Sequence, residues 1–209
     1  PIAAAMAEHW PEATAIHLLD EGLSLERAKS PTLTPALQAR FIRFCLYARD
    51  MGADGILATC SAFGEALESL AEQVSIPVLK PNEAMFAQAL ARGNRIAMVA
   101  TFNPAIAGME QEFYAMAAAG DRPATLTSFC AQGALEQLRA GNDEEHNLRV
   151  AECARQLTDY DAIVLAHFST SRALKSVAAA VSVPVLAAPQ AAVERMKILV
   201  HQQEGKFTC

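Results

Sequence analysis

Two residues of this chain, Cys60 and His167, put a thiol and an imidazole at matching places in a repeated stretch. Their ordinary pKa values, about 8.5 and about 6.5, lie close enough to neutrality for either group to act as acid or base after a modest shift. Cys60 lies in Asp54-Gly55-Ile56-Leu57-Ala58-Thr59-Cys60-Ser61-Ala62-Phe63-Gly64, a short apolar run after an Asp-Gly break that leads into a turn of small residues. From Glu65 the spacing becomes helical, with Leu67, Leu70 and Ala71 on one face. The pattern predicts a buried strand that delivers Cys60 to a helix start. At the carboxyl edge of a parallel sheet such a place receives ligands, and first-turn amides favour an anion and a thiolate.

Sliding the chain along itself reveals the second copy. Asp54 falls on Asp161, Ile56 on Ile163, Ala66 on Ala173, Leu67 on Leu174 and Ser69 on Ser176, each pair offset by 107 (161 − 54). Val74-Ser75, Pro77, Val78 and Leu79 fall on Val181-Ser182, Pro184, Val185 and Leu186 in the same register. Cys60 then lies opposite His167. A gapless match over strand, helix and next strand points to a duplicated half-domain rather than a solenoid.

Two such halves facing one another would set a thiol and an imidazole on either side of a cleft. Taking a proton from a carbon next to a carboxylate and returning one to the opposite face needs this arrangement around a planar intermediate. Ser61 and Ser169 to Ser171, with the amides of both helix starts, supply groups for the carboxylate and the enolate charge. Each has a plainer reading too. His167 reads also as a satisfied core histidine, Ser169, Thr170 and Ser171 as helix caps, and Thr101 and Asn103 as a strand end with an Asn-Pro turn.

The whole chain bounds these readings. Its 209 residues, 52% hydrophobic and 19% charged, suit one large or two small α/β domains. The net charge of −6 and the scattered Lys and Arg residues give no nucleic-acid stripe and no polybasic membrane patch. No apolar run has the length of a membrane span or the shape of a signal peptide, so a cytoplasmic location is expected. Five cysteines, Cys45, Cys60, Cys130, Cys153 and Cys209, lack Cys-x-x-Cys spacing and read as free thiols, three of them (Cys45, Cys130 and Cys153) as packing. No cluster of His or carboxylates suggests a metal.

Reading in order, residues 1–12 suggest a helix, Ala13–Leu19 a strand, and residues 23–34 a loop or short helix broken at Pro31 and Pro35. A helix runs from Thr34 or Pro35 to about Met51 with Leu37, Phe41, Phe44, Cys45 and Ala48 on one face. The Cys60 strand and helix follow, then a strand at Ile76–Leu79 and a helix over 83–92 capped by Asn82 and stopped by Gly93. Strands at 95–101 and 124–129, the strand that leads to His167 and a strand at 183–186 alternate with helices to about Gly120, over 143–157 and over 172–181. A last helix spans 190–202 with Val193, Met196, Ile198 and Val200. This alternation predicts an α/β fold of two pseudo-twofold-related units, each a mainly parallel sheet flanked by helices, with the active site in the cleft between them. The units are expected at 1–81 plus 190–209 and at 82–189. Since the strand at 95–101 has no counterpart in the first half, the natural polypeptide is expected to carry a further N-terminal strand.

The duplication, the Thr59-Cys60-Ser61 turn after a strand, the Pro77-Val78-Leu79 strand and Thr101-Phe102-Asn103-Pro104 together resemble the aspartate/glutamate/hydantoin racemase superfamily over nearly the whole chain. The resemblance implies cofactor-independent chemistry on a small carboxylate, with Cys60 as first catalytic cysteine and Thr59 and Ser61 at the anion-binding positions. Most members have a second cysteine where this chain has His167, followed here by Phe168 and Ser169. Ala62, Thr101, Asn103, Phe168, Ser169 and Thr170 complete the expected substrate contacts. The leading reading is a racemase or epimerase acting on an amino acid or related carboxylate, Cys60 and His167 being the opposed acid and base. Decarboxylation or cis-trans isomerisation through Cys60 alone is a second reading, and a carboxylate-binding protein without catalysis a third. Side-chain specificity is assigned to Phe63, Phe102 and Phe168, and the apolar content is compatible with a homodimer.

Overall fold

The computed structural model describes residues 1–27, 29–30 and 32–207 and divides into two compact units. One comprises Met6–Pro81 and the chain from Ala192 onward, the other Pro1–Ala5 and Asn82–Ala191. Pro31 and Cys209 lie outside the described residues.

The first of these contains α1 (Ile2–His9, counted from Met6), α2 (Glu21–Arg27), α3 (Pro35–Asp50), β1 (Ile56–Leu57), α4 (Gly64–Ala71) and β2 (Val78–Leu79). Thr34 caps α3 by accepting the Leu37 N–H at 3.3 Å, and Pro35 fills the first helical position, where its missing N–H costs nothing. One face of α3 then buries Leu37, Phe41 and Cys45 at spacings of four, against Ala66, Leu67 and Leu70 of α4. Ala71, expected on that face, is exposed. β1 and β2 pair in parallel, Ile56 with Val78 and Leu57 with Leu79.

Ala13–Leu19 departs from expectation and forms no strand. Among the described residues this unit has only the β1–β2 ladder, so the segment pairs with no strand and leaves Ile16 and Leu19 exposed.

The second unit holds α5 (Glu83–Arg92), β3 (Arg95–Ala100), α6 (Ile106–Ala119), β4 (Thr125–Cys130), α7 (Ala134–Arg139), α8 (Asp143–Ala154), β5 (Ala162–Leu165), the single turn α9 (His167–Thr170), α10 (Leu174–Ala180) and β6 (Val185–Ala187). α11 (Ala188–Phe207) begins here and continues in the other unit. The sheet is wholly parallel in the order β4-β3-β5-β6. A parallel strand covered on both faces must be apolar throughout, and Ile96–Ala100 and Ala162–Leu165 are all at 0% exposure. Alternation sends Ile96, Met98, Ala100 and Val164 toward Phe86 and Phe113 on one face. Ala97, Val99, Ile163 and Leu165 pack with Val150 and Val177 on the other.

Three smaller expectations are corrected. Asn82 stands at the N-cap position of α5, its carbonyl accepting the Phe86 N–H at 3.0 Å, but its side chain makes no capping bond; it is buried and donates from Nδ2 to the Glu112 carboxylate at 3.2 Å. α7 was not foreseen, its six residues being too few for a clear period. In α11, Val193, Met196 and Val200 are buried but Ile198 lies off that stripe at 48% exposure. Met196 packs closely under Gly55, where a Cβ would stand 2.5 Å from its sulfur and the methionine side chain would have to shift. Among the described residues no helix is long and apolar enough to cross a membrane.

Phe63 also falls in a place the sequence did not suggest. It is 2% exposed and stacks on Phe41 with centroids 4.4 Å apart and planes 5° apart. Phe63→Ala is therefore expected to cost about 3–5 kcal/mol of stability, read by urea denaturation; a loss under 1 kcal/mol would refute its core role.

Candidate active site

The sheet order of the second unit sets where its loops can do chemistry. From β3 the chain moves to β4 on one side, then returns to β5 on the other side of β3. The two crossovers leave the carboxyl ends of β3 and β5 in opposite directions, and such a topological switch point is where open α/β sheets bind ligands. Thr101, Phe102 and Asn103 follow β3; His167, Phe168, Ser169 and Thr170 follow β5. Six sequence-predicted site residues, Thr101, Asn103 and the four from His167 to Thr170, thus share one strand-end edge.

The ladder reaches Ala166, whose N–H donates to the Val99 carbonyl at 2.9 Å. The next residue, His167, takes the left-handed region at φ +67°. For a residue with a Cβ this conformation costs on the order of 1–2 kcal/mol, and it turns the chain directly from strand into α9. The imidazole is half-buried, and its Nε2 is buried with no hydrogen-bond partner among the described residues. Burial pushes the His167 pKa below its ordinary value, because the charged ring loses hydration. The neutral ring, with a free nitrogen, is therefore the form present at neutral pH.

Around it, Thr101 and Thr170 are buried and their hydroxyls are hydrogen-bonded at 3.3 Å. Thr170, at 0% exposure, has no surface with which to meet a substrate, contrary to the expected contact. Ser171 Oγ donates to the Phe168 carbonyl at 2.6 Å. Asn103 and Phe102 are exposed, while Phe168 and Ser169 are half-buried, so this edge offers both a polar and an aromatic surface.

The other candidate residues belong to the first unit. Thr59, Cys60, Ser61 and Ala62 are all exposed, and Cys60 is extended (φ −125°, ψ 123°) just before a 3-10 turn, Ser61–Phe63, that runs into α4. The turn is anchored at one end by Phe63 in the core. It is anchored at the other by Arg27, whose Nε donates to the Ala62 carbonyl at 3.2 Å and whose Nη1 donates to the Ser30 carbonyl at 2.6 Å. Arg27 stands 35 positions from Ala62, and no local pattern links them.

Cys130, read from sequence as packing, ends β4 beside this edge, and its sulfur accepts the Asn103 backbone N–H. Its place after a strand was the signal. Burial, and after it the Glu136 charge, raise its pKa and keep it a neutral thiol. Cys45 is buried and pushed up to about 11, which suits packing rather than reaction. Among the described residues no three His, Cys, Asp or Glu side chains are grouped to hold a metal ion.

With the geometry in place, comparison with known proteins is informative. The model of the Asp/Glu/hydantoin racemase family matches residues 2–196. A glutamate racemase isoform from Bacillus anthracis is similar in structure at 13% identity and TM-score 0.69, over 97% of this chain and 77% of that one. Allantoin racemase from Klebsiella pneumoniae is similar at 22% identity and TM-score 0.60, over 80% and 67%. A glycine-to-cysteine mutant of arylmalonate decarboxylase in a sulfate-associated form is similar at 18% identity and TM-score 0.64, over 93% and 86%. Such identities establish the fold. No curated protein matches.

The depressed His167 pKa fixes a sign for stability against pH. As pH falls through about 6.5, the unfolded imidazole takes up a proton that the folded one resists, so protons favour unfolding. Wild type is expected to lose more stability than His167→Gln between pH 8 and pH 5.5, measured by thermal melts; equal losses would contradict a buried neutral imidazole.

Proposed function

Since this chain belongs to the Asp/Glu/hydantoin racemase family, we propose that it is a cofactor-independent racemase or epimerase acting at the carbon α to a carboxylate, with Cys60 and His167 as its acid/base pair. The observation that carries this reading is the state of His167. It is a neutral imidazole with an unpartnered nitrogen, at a topological switch point and in the register of the repeat that matches Cys60. Family membership supports an isomerase; the roles of the two residues are the finer proposal.

The reaction needs one proton shared between two groups. In one direction the His167 imidazole accepts the α-proton, leaving a planar carbanion whose charge spreads into the carboxylate, and the Cys60 thiol returns a proton to the other face. The pair then holds imidazolium and thiolate, which is the form that runs the reverse direction. Asn103, Ser169, Thr59, Ser61 and the Ala62 amide are proposed to bind the carboxylate and stabilise the enolate charge. Phe102 and Phe168 are proposed to meet the substrate side chain. Phe63 is not, since it lies in the core.

Replacement of the usual second thiol by His167 also suits a one-thiol reaction on this fold, as in decarboxylation, where Cys60 alone protonates the carbanion left by carbon dioxide. The two readings separate in D₂O with a panel of amino acids and related carboxylates of both hands. Racemisation incorporates deuterium at the α-carbon, interconverts enantiomers and keeps every carbon. Cys60→Ser and His167→Asn are each expected to lower kcat/KM by about 10²–10⁴. Carbon dioxide release without interconversion, or full activity in His167→Asn, would overturn the two-residue mechanism.

A further inference from the structure

The left-handed turn at His167 needs something to hold it, and the sheet cannot. The last rung between the strands is Ala166 N–H to Val99 O, one residue earlier. Beyond it, β3 and β5 part to opposite sides of the switch point. A non-glycine residue stays in such a conformation only where its surroundings over-determine it.

One polar contact spans the gap just past that rung. Thr101 Oγ1 and Thr170 Oγ1 lie 3.3 Å apart, 69 positions apart in sequence, at 6% and 0% exposure. Thr101 is the first residue after β3, and Thr170 closes the single turn that His167 opens. Both residues are buried, so solvent competes little for the hydroxyl contact, and it ties the far end of the turn to the end of β3. The Ser171 hydroxyl, on the Phe168 carbonyl at 2.6 Å, tightens the same turn from within.

We propose that Thr101 and Thr170 form a hydroxyl clamp that holds His167 in its left-handed conformation, so that both act as positioning residues for the imidazole rather than as ligands of the substrate. The effect on turnover rests on the reading of His167 as a catalytic base; the effect on the His167 backbone does not.

The test uses Thr101→Val, Thr170→Val and their double variant, which keep the side-chain shape and remove the hydroxyls, with Thr170→Ser as rescue. The first readout is the ¹³Cα and ¹³Cβ chemical shifts of His167, which report its φ without any substrate. Either valine variant is expected to move these shifts, Thr170→Ser to restore them, and the double variant to change them no further than one single. The second readout is kinetic: each valine variant lowers kcat about tenfold or more with KM within about twofold, because the clamp does not touch substrate. If Thr170→Val does not fold, Thr101→Val tests the same bond from its other end. Folded valine variants with unmoved His167 shifts and unchanged kcat would overturn the clamp. If instead the shifts move but neither these variants nor His167→Asn affects turnover, the clamp stands and the catalytic reading of His167 fails.

Discussion

The parallel ladder between β3 and β5 is the constraint from which the second unit follows. Its rungs pair Ile96 with Ala162 and continue to Val99 with Leu165, and the N–H of Ala166 adds the last. A parallel pair has to be buried on both faces, which demands apolar side chains at every position and helices above and below. It also has to stop. Where it stops, backbone groups are no longer committed to a neighbour, and small polar residues can take positions that a strand would forbid. His167 occupies the first such position.

The first unit meets the same requirement with fewer resources. Two strands of two residues each give little ladder, so the Cys60 turn depends on side chains for its shape. Phe63 holds one end through its stack on Phe41, and Arg27 holds the Ala62 carbonyl on the other. Both anchors follow Cys60 in the chain, and Cys60 itself remains exposed just ahead of them. On the imidazole side, the comparable work falls to buried hydroxyls and a strained φ. The thiol is exposed and the imidazole nitrogen is buried, and the two surroundings differ in that sense.

Similarity to racemases and to a decarboxylase at identities of 13–22% is what this division of labour leads one to expect. The scaffold asks only for apolar strands, amphipathic helices and a crossover that reverses direction, which many sequences satisfy. In the proposed mechanism the chemistry falls to a handful of residues at strand ends, where an imidazole can stand without disturbing the ladder behind it.

The sequence by itself determined the parallel α/β class, the place of Cys60 and His167 after their strands, and the buried face of α3, because periodicity and turn residues are local and each strand's burial is written in its own composition. It misplaced Ala13–Leu19, whose apolar pattern suits a strand but whose neighbour is not there to pair with. It assigned Phe63 and Thr170 to the ligand, since spacing shows that a residue lies near a turn and not which way it points. Only the tertiary structure decided the switch point at β3 and β5, the left-handed φ of His167, the Arg27 bond to the Cys60 turn and the closure of Thr101 on Thr170. Each of these joins residues tens of positions apart or fixes a dihedral against its intrinsic preference, and only tertiary contacts, polar as well as apolar, supply the energy for either.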